Sequence, residues 1–411
     1  MRVAMVSEHA SPLAVLGGAD AGGQNVHVAA LASALSRLGA DVTVYTRRED
    51  PKISRHVKFI DGVTVTHVDA GPPEVLPKDD LYQHMPEFAK LLSREWGVMM
   101  PDVVHAHFWM SGIASIAAAR FARIPVVQTF HALGVEKRRH QGAKDTSPKQ
   151  RLAEEKGIVR AAQRILATAT AEVFELTRMG AVPAQIQVIP CGVDLARFTP
   201  DGPAEKRTSG VHRLLSLGRM VERKGIAEVI EALTLLPNTE LIVVGGPALN
   251  ELPKDAEYVR LSSIARELGV ANRVQFRGRV QHVDVPSIIR SADVVVCTPW
   301  YEPFGIVPLE AMACAVPVVA SSVGGLIDTV VDGRTGRHVP PRSPVALAET
   351  LRRLLADEPL RRAFGRAGRR RAELRYGWNR IGQQTLRSYQ EVVELYHRTP
   401  HKAARSRGSG A

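Results

Sequence analysis

Cysteine is scarce in this sequence. Three occur in 411 residues, Cys191, Cys297 and Cys314, and no two form a CxxC pair. That excludes a disulfide framework and a cysteine-built zinc site. Cys297 closes an apolar run and Cys314 lies among Ala and Met, as small buried residues do. Long apolar stretches are missing too. None nears the ~20 residues of a membrane span. The apolar start, RVAMV, is too short for a secretory leader and reads as a buried first strand, so a cytoplasmic protein is expected. Aromatic residues make up only 5%. The net charge of +12 therefore comes without a stacking surface, and a nucleic-acid partner is not expected. The charge is uneven: residues 352–411 carry 15 Lys and Arg against 5 Asp and Glu. Solvated helix faces and a loose tail account for this, and leave room for a weak peripheral membrane contact. There is no DxD, HExxH, GxSxG or P-loop. Metal-held phosphates, zinc proteolysis, serine hydrolysis and NTPase action lose their usual signatures.

What is present is a βαβ rhythm. RVAMVS, VHVAALASALSRLG and DVTVYTR read as strand, helix, strand, and the pattern returns in PDVVHAH, GIASIAAARFA and IPVVQTF. It pauses at TPDGPAEKRTSG (199–210), where Pro, Gly, Ser and charge crowd as in a linker. It restarts with HRLLSLGR, ELIVVGG, RVQFRG, DVVVCTP and VPVVASS. The expectation is an α/β protein of two doubly wound, Rossmann-like domains, 1–199 and 207–376, facing across a cleft. A helix over 377–397 follows, and then a disordered basic tail, 398–411. Ligands of such sheets bind beyond the carboxyl ends of the strands, so the loops after strands carry the search.

The loop after DVVVCTP is YEPFGIVPLEA (301–311). Pro308 suits a first helical turn. The amides of Gly305, Ile306 and Val307 then face the cleft at the positive end of the helix, a place for a phosphate or a sugar hydroxyl. Glu310 can accept from a pair of adjacent hydroxyls, as on a ribose, and Glu302 from a second sugar. Acids near a helix start are common, so this motif alone does not decide. LGRMVERKGI (217–226) adds Arg219 and Lys224 after another strand; a fork and a point charge suit a diphosphate. Gly22 and Gly23, in the loop GGADAGGQNVHV (17–28), permit close backbone approach, although the GxGxxG fingerprint is absent. In VVHAHFWMSG (103–112) the period of two puts His105 and His107 on one face. No third ligand is evident nearby, so no metal is expected. His107 is nearer the strand end and so better placed to reach the cleft, and His131 in QTFHALG occupies a similar position.

Taken together, GGADAGGQNVHV, HAHFWMSG, TFHALG, IPCGVD, LGRMVERKGI and EPFGIVPLEAMA resemble, in order and over nearly the whole chain, the retaining glycosyltransferases of family 4, with the two-domain GT-B fold. The resemblance implies a metal-independent hexosyl or N-acetylhexosaminyl transferase. It would use a nucleotide-diphosphate sugar, uridine-linked by expectation, with no cofactor beyond that donor, and would be a monomer or a homodimer. It implies that Arg219 and Lys224 hold the diphosphate, Glu310 the ribose and Glu302 the donor sugar. The Phe304–Gly305–Ile306–Val307 backbone would bind sugar and phosphate. Gly22 and Gly23 would approach the donor, with the Gly23 amide on the leaving phosphate. His107 would line the reacting centre, and Arg277, Gly278 and Arg279 would border the base. Within the family the N-terminal half is similar to the mycothiol-pathway branch that glycosylates inositol phosphate. That likeness implies an acceptor side of Gln24, Asn25, Lys78, His131 and Arg151. Phe108 and Ala132 depart from it, standing where that branch has Tyr and Thr. Gln24 and HALG lean toward sucrose-phosphate synthases. A transferase for a secondary metabolite, a sugar-nucleotide epimerase of the same fold, and a non-enzymatic basic nucleic-acid-binding protein are the alternatives.

Overall fold

The computed structural model describes residues 1–14 and 22–398. Residues 17–21 of the glycine-rich loop, and the expected tail beyond Arg398, lie outside the described residues. The first sheet contains β1 (Arg2–Val6), β2 (Asp41–Arg47), β3 (His56–Ile60), β4 (Val63–Val68), β5 (Val103–His107), β6 (Val126–Thr129), β7 (Arg164–Ala167) and β8 (Ile186–Val188). Their order is β3-β4-β2-β1-β5-β6-β7-β8, and only the β3–β4 pairing is antiparallel. The second holds β9 (His212–Leu217), β10 (Thr239–Val244), β11 (Val274–Gly278), β12 (Val294–Cys297), β13 (Val318–Ser321) and β14 (Gly336–Val339). It is all parallel, in the order β11-β10-β9-β12-β13-β14. Helices cover both faces, which is why central strands such as VVHAH and TELIVV are buried along their whole length. Two doubly wound α/β domains result.

In each sheet the chain builds first to one side of its opening strand and then to the other, with the switch between β1 and β5 and between β9 and β12. A crevice opens at such a switch because neighbouring connections leave to opposite faces. Four of the segments singled out in the sequence follow these strands; His131 follows β6, and Arg277, Gly278 and Arg279 stand at the end of β11.

The boundary expected at residue 199 moves earlier. Ile189 belongs to the first domain's core, whereas Cys191, Val193 and Phe198 pack in the second domain's core with Tyr376. The Pro- and Gly-rich stretch is surface loop of the second domain: the Arg290 guanidinium donates to the carbonyls of Thr199 (3.1 Å) and Pro203 (2.9 Å). Composition marked a solvated loop there, and the crossing lies a few residues before it.

The chain crosses back at Gly377. The two crossings touch: the Val193 amide donates to the Tyr376 carbonyl (2.7 Å), and Val193 pairs with Gly377 as an isolated bridge. The helix Trp378–Arg398 then lies on the first domain against the helix Gly23–Arg37. Its Ile381, Tyr389 and Val392 enter the first domain's core. Gly382 makes the approach possible, since a Cβ there would stand 2.9 Å from the Ala34 methyl. On another part of the interdomain surface, Lys144 of the first domain pairs with Glu222 of the second (2.7 Å), and the His140 ring stacks on Tyr301 at 5.0 Å.

Tyr389 ties the returning helix to the sheet. Its hydroxyl is hydrogen-bonded to His105 Nδ1 at 2.5 Å, and His105 Nε2 meets Thr129 Oγ1 at 2.9 Å. His105 is thus a satisfied core histidine. Tyr389→Phe leaves a buried imidazole nitrogen without its partner and is expected to cost about 1–3 kcal/mol. Urea unfolding of wild type and variant reads this directly, and an unchanged midpoint would show that the bond contributes nothing. No helix among the described residues is long and apolar enough to cross a membrane. Part of the basic C-terminal segment turns inward: Arg369 donates to the carbonyls of Phe198 and Ala313 (both 2.8 Å), and Arg371 to those of Asp328 and Thr329.

Candidate active site

Loops after β1, β5, β6, β9, β10, β11 and β12 border a cleft of about 830 Å³ between the domains. On the second domain's wall the loop after β12 leads into the helix Val307–Ala313, with Pro308 in its first turn. First-turn amides have no partner within a helix. Gly305 adopts φ +83, the left-handed region that favours glycine, and a Cβ there would stand 2.8 Å from the Leu326 side chain and 3.2 Å from that of Glu302. This turn brings Glu302, Phe304, Gly305, Ile306, Val307 and Glu310 to the cleft. Glu310 lies 3.6 Å from His282 Nε2.

The loop after β9 brings Arg219, Arg223 and Lys224 beside them. Lys224 is paired with Glu302 through a short contact. Burial pushes the Glu302 carboxyl up. Lys224, then Arg223 and Arg219, more than offset this and hold it below its ordinary value. Glu302 is therefore a carboxylate at neutral pH, an acceptor of hydrogen bonds and not a proton donor. Arg223 was not singled out in the sequence although it stands next to Lys224. Its guanidinium donates to the Tyr301 carbonyl at 3.2 Å, so it also braces the acidic loop.

The facing wall comes from the first domain. Gly22, Gly23, Gln24, Lys78 and His131 line it. Gly23 and Ile306 stand opposite one another: the Ile306 side chain is 3.4 Å from where a Gly23 Cβ would be. Gln24 Nε2 donates to Ser7 Oγ (3.1 Å) and the His107 carbonyl (3.3 Å), which fixes the amide at the strand ends. Reading the sequence missed His9, which lines the same wall and is held by the fully buried Glu8 (2.6 Å). It follows β1 by three residues, so the strand-end rule could have found it.

Other expected residues lie elsewhere. Asn25 caps its helix: its Oδ1 accepts from the Gly22 amide (3.1 Å) and its Nδ2 donates to the Ser11 carbonyl (3.0 Å). Arg151 sits behind the wall, 2% exposed. It donates to Glu155 (2.8 Å), the Ala132 carbonyl (2.7 Å) and Ser147 (3.1 Å). It meets the cleft through two lining residues, Ala132 and Phe108, and it shares the Phe108 ring with Lys78 at 5.1 and 5.7 Å. Among Arg277, Gly278 and Arg279 only Arg279 lines the cleft. Arg277 turns toward Glu205 (3.8 Å), and Gly278 accepts the Gly245 amide (2.8 Å). His107 is fully buried one layer behind His131, whose Nε2 is 3.0 Å from His107 Nδ1.

A third imidazole joins them, from the GGADAGGQNVHV segment, where the sequence reading singled out the glycines and passed over the histidine. His27, on the helix Gly23–Arg37, stands 5.6 and 5.0 Å from the His107 and His131 rings, centroid to centroid. Burial pushes His27 down to about 4. Burial, and then the neighbouring imidazoles, push His107 and His131 well below the ordinary value. All three are neutral at neutral pH. Burial pushes the Cys191 thiol up, and Cys297 and Cys314 up to about 12. None of the three is an activated nucleophile.

Two protein families match the chain in tandem, Glycosyltransferase Family 4 over residues 21–197 and Glycosyl transferases group 1 over 203–371. A D-inositol 3-phosphate glycosyltransferase of Kribbella flavida is 36% identical over 412 residues, 96% of each chain. The chain belongs to glycosyltransferase family 4. A second D-inositol 3-phosphate glycosyltransferase, from Streptomyces bingchenggensis, is 35% identical and spans 97% of this family 4 chain and 90% of its own. Among solved structures, a sucrose-phosphate synthase of Thermosynechococcus elongatus superposes with a TM-score of 0.88 at 30% identity, over 96% of this chain and 99% of that one. Anabaena HepE in complex with UDP and glucose gives 0.71 at 21% identity over 94% and 99%, a likeness of fold. The chain is thus a glycosyltransferase with a GT-B fold, and the cleft between its domains is its candidate active site.

Proposed function

We propose that the protein is a cytoplasmic, retaining glycosyltransferase that needs no metal or cofactor. It moves a hexosyl or N-acetylhexosaminyl group from a nucleotide-diphosphate sugar to a small phosphorylated acceptor of the cyclitol class. The observation that carries this is the division of charge across the cleft. One wall joins Arg219, Arg223 and Lys224 to Glu302 and Glu310, cations for a diphosphate beside acids for hydroxyls. The other offers Lys78, Gln24, His9 and His131. The names of the relatives supply the acceptor class, and uridine is the first nucleotide to test.

In this reading the bond from the anomeric carbon to the diphosphate oxygen breaks as the acceptor oxygen bonds on the same face. The departing oxygen takes the acceptor's proton. Lys224, Arg219, Arg223 and the Gly23 amide meet the negative charge as it grows on the leaving group. Stabilising such developing charge with fixed dipoles and cations is where most of the rate enhancement at sites of this kind arises. Among the described residues every carboxylate lining the cleft, Glu251, Asp255, Glu302 and Glu310, belongs to the second domain. None stands on the first domain's wall to attack from the opposite side, and this supports same-face transfer over a covalent glycosyl intermediate.

The test is mass spectrometry of products from UDP-N-acetylglucosamine with inositol phosphate and, separately, free inositol, in the presence of EDTA. A glycosylated inositol phosphate, α-linked by NMR, is the expected result. An intact donor with both acceptors would overturn the acceptor assignment. A sugar-phosphate acceptor is the second reading, favoured by the likeness to sucrose-phosphate synthase and by Gln24 and the HALG segment.

A further inference from the structure

Beneath the cleft's first-domain wall lies a cluster that the transfer reaction leaves largely unused. His27, His107 and His131 come from three different segments. Each offers a ring nitrogen, and the three nitrogens lie within 4.8 Å of one another. A fourth donor adjoins them: Cys191 Sγ is 3.2 Å from His27 Nδ1. His107 faces His131 through Nδ1, and its other nitrogen, Nε2, is buried with no hydrogen-bond partner, so no neighbour competes for the proton that Nε2 carries when Nδ1 binds an ion. These are the ligand types of a soft or borderline divalent ion, not of magnesium or calcium.

The spacing agrees. Tetrahedral zinc with bonds of about 2.0–2.1 Å to nitrogen and 2.3 Å to sulfur sets neighbouring nitrogens about 3.3 Å apart and nitrogen and sulfur about 3.6 Å apart. The contacts here, 3.0 Å between His107 and His131 and 3.2 Å between His27 and Cys191, are a few tenths shorter. The widest separation, 4.8 Å, closes by ring rotation of the order of 1 Å. An entry path exists because His131 and Cys191 line the cleft.

We propose that His27, His107 and His131, with Cys191 as fourth donor, form a site for a zinc-class divalent cation, and that occupying it blocks glycosyl transfer. On binding, the Cys191 thiol proton leaves to solvent. The imidazole that donates in the His107–His131 bond shifts its proton to its other nitrogen. The ion then holds two residues of the cleft wall and places positive charge beside the acceptor's position. The inhibitory part rests on the proposed transfer; the binding part does not.

The probe is Co2+, added without substrates to the untagged full chain. One ion per chain is expected, with the visible bands of a tetrahedral ion and a near-ultraviolet sulfur-to-metal band. An equal concentration of Mg2+ leaves the spectrum unchanged. Cys191→Ser removes the sulfur band and keeps the visible ones. His27→Phe retains aromatic bulk, keeps the transfer rate, and weakens Co2+ binding by at least about 10- to 100-fold, the scale on which even outer-shell changes act. In wild type, Zn2+ suppresses transfer, and in His27→Phe that suppression is lost. Only the spectrum of hydrated Co2+, or the same affinity in His27→Phe, would overturn the site. A sulfur band that survives Cys191→Ser would remove the fourth donor, and Zn2+ without effect on wild-type transfer would remove the inhibition.

Discussion

Lys224→Ala is expected to lower kcat/KM by about 10²–10³-fold while the protein stays folded. Two effects add. The ammonium group no longer meets the charge that develops on the leaving diphosphate, and losing one such group at a reacting centre costs about that factor. Glu302 also loses its partner. Its carboxylate is largely buried and is held ionised chiefly by Lys224, so a charge compensated only by the more distant Arg223 and Arg219 is left facing the donor. Lys224→Ala with Glu302→Gln separates the two, because the second change removes the orphaned charge. If the double variant recovers part of the loss, the pair works as a unit. Steady-state rates with circular dichroism melting check the prediction. Normal turnover by Lys224→Ala would remove the donor site from this wall.

Glu310→Ala is expected to raise the donor KM by about 10- to 100-fold, with a smaller effect on kcat. A carboxylate hydrogen bond of this kind is worth about 1.5–3 kcal/mol, and it is made in ground state and transition state alike. Glu310 sits in the first turn of its helix and is 7% exposed. Truncation opens space without stranding a cation, since its close neighbour is His282 and not an arginine. Glu310→Gln keeps the shape and recovers part of the affinity. Binding of the free nucleotide, measured by calorimetry, falls in parallel. A loss confined to kcat would instead place Glu310 at the reacting carbon.

The second domain's wall was legible because its chemistry is local. Arg219 and Lys224 fall in one loop and Glu302 and Glu310 in another. Each loop follows a strand whose apolar run marks it, and the parallel sheet puts all such loops at one end. The first domain's wall was less so. Arg151 was expected on the acceptor side, but Glu155, one helical turn on, already holds it. Arg277 lies on β11 with its side chain directed to Glu205, away from the cleft. His27 read as an ordinary helix residue. Its burial depends on a segment far along the chain, whose Trp378 ring packs edge-on against it at 5.4 Å. No local pattern carries that information. The linker was misplaced for a related reason: a polar, Pro-rich stretch reports exposure, and exposure does not say which domain a loop belongs to.

The paired crossings at Val193 and Gly377 also govern mechanics. Two domains joined by one strand of chain can swing through a cone. Two strands side by side, hydrogen-bonded to each other, confine the swing to turning about the line they define, as a door turns on its pins. The pins lie by the cleft's floor, since Cys191 borders it. A few degrees of rotation hardly move Cys191, but the displacement grows with distance from the axis. The ion pair Lys144–Glu222, the stacked rings of His140 and Tyr301, and the Thr170 amide donating to Asp328 Oδ2 (2.5 Å) also join the two leaves. Of these, the exposed Lys144–Glu222 pair resists least, since surface ion pairs are worth about 0–1 kcal/mol.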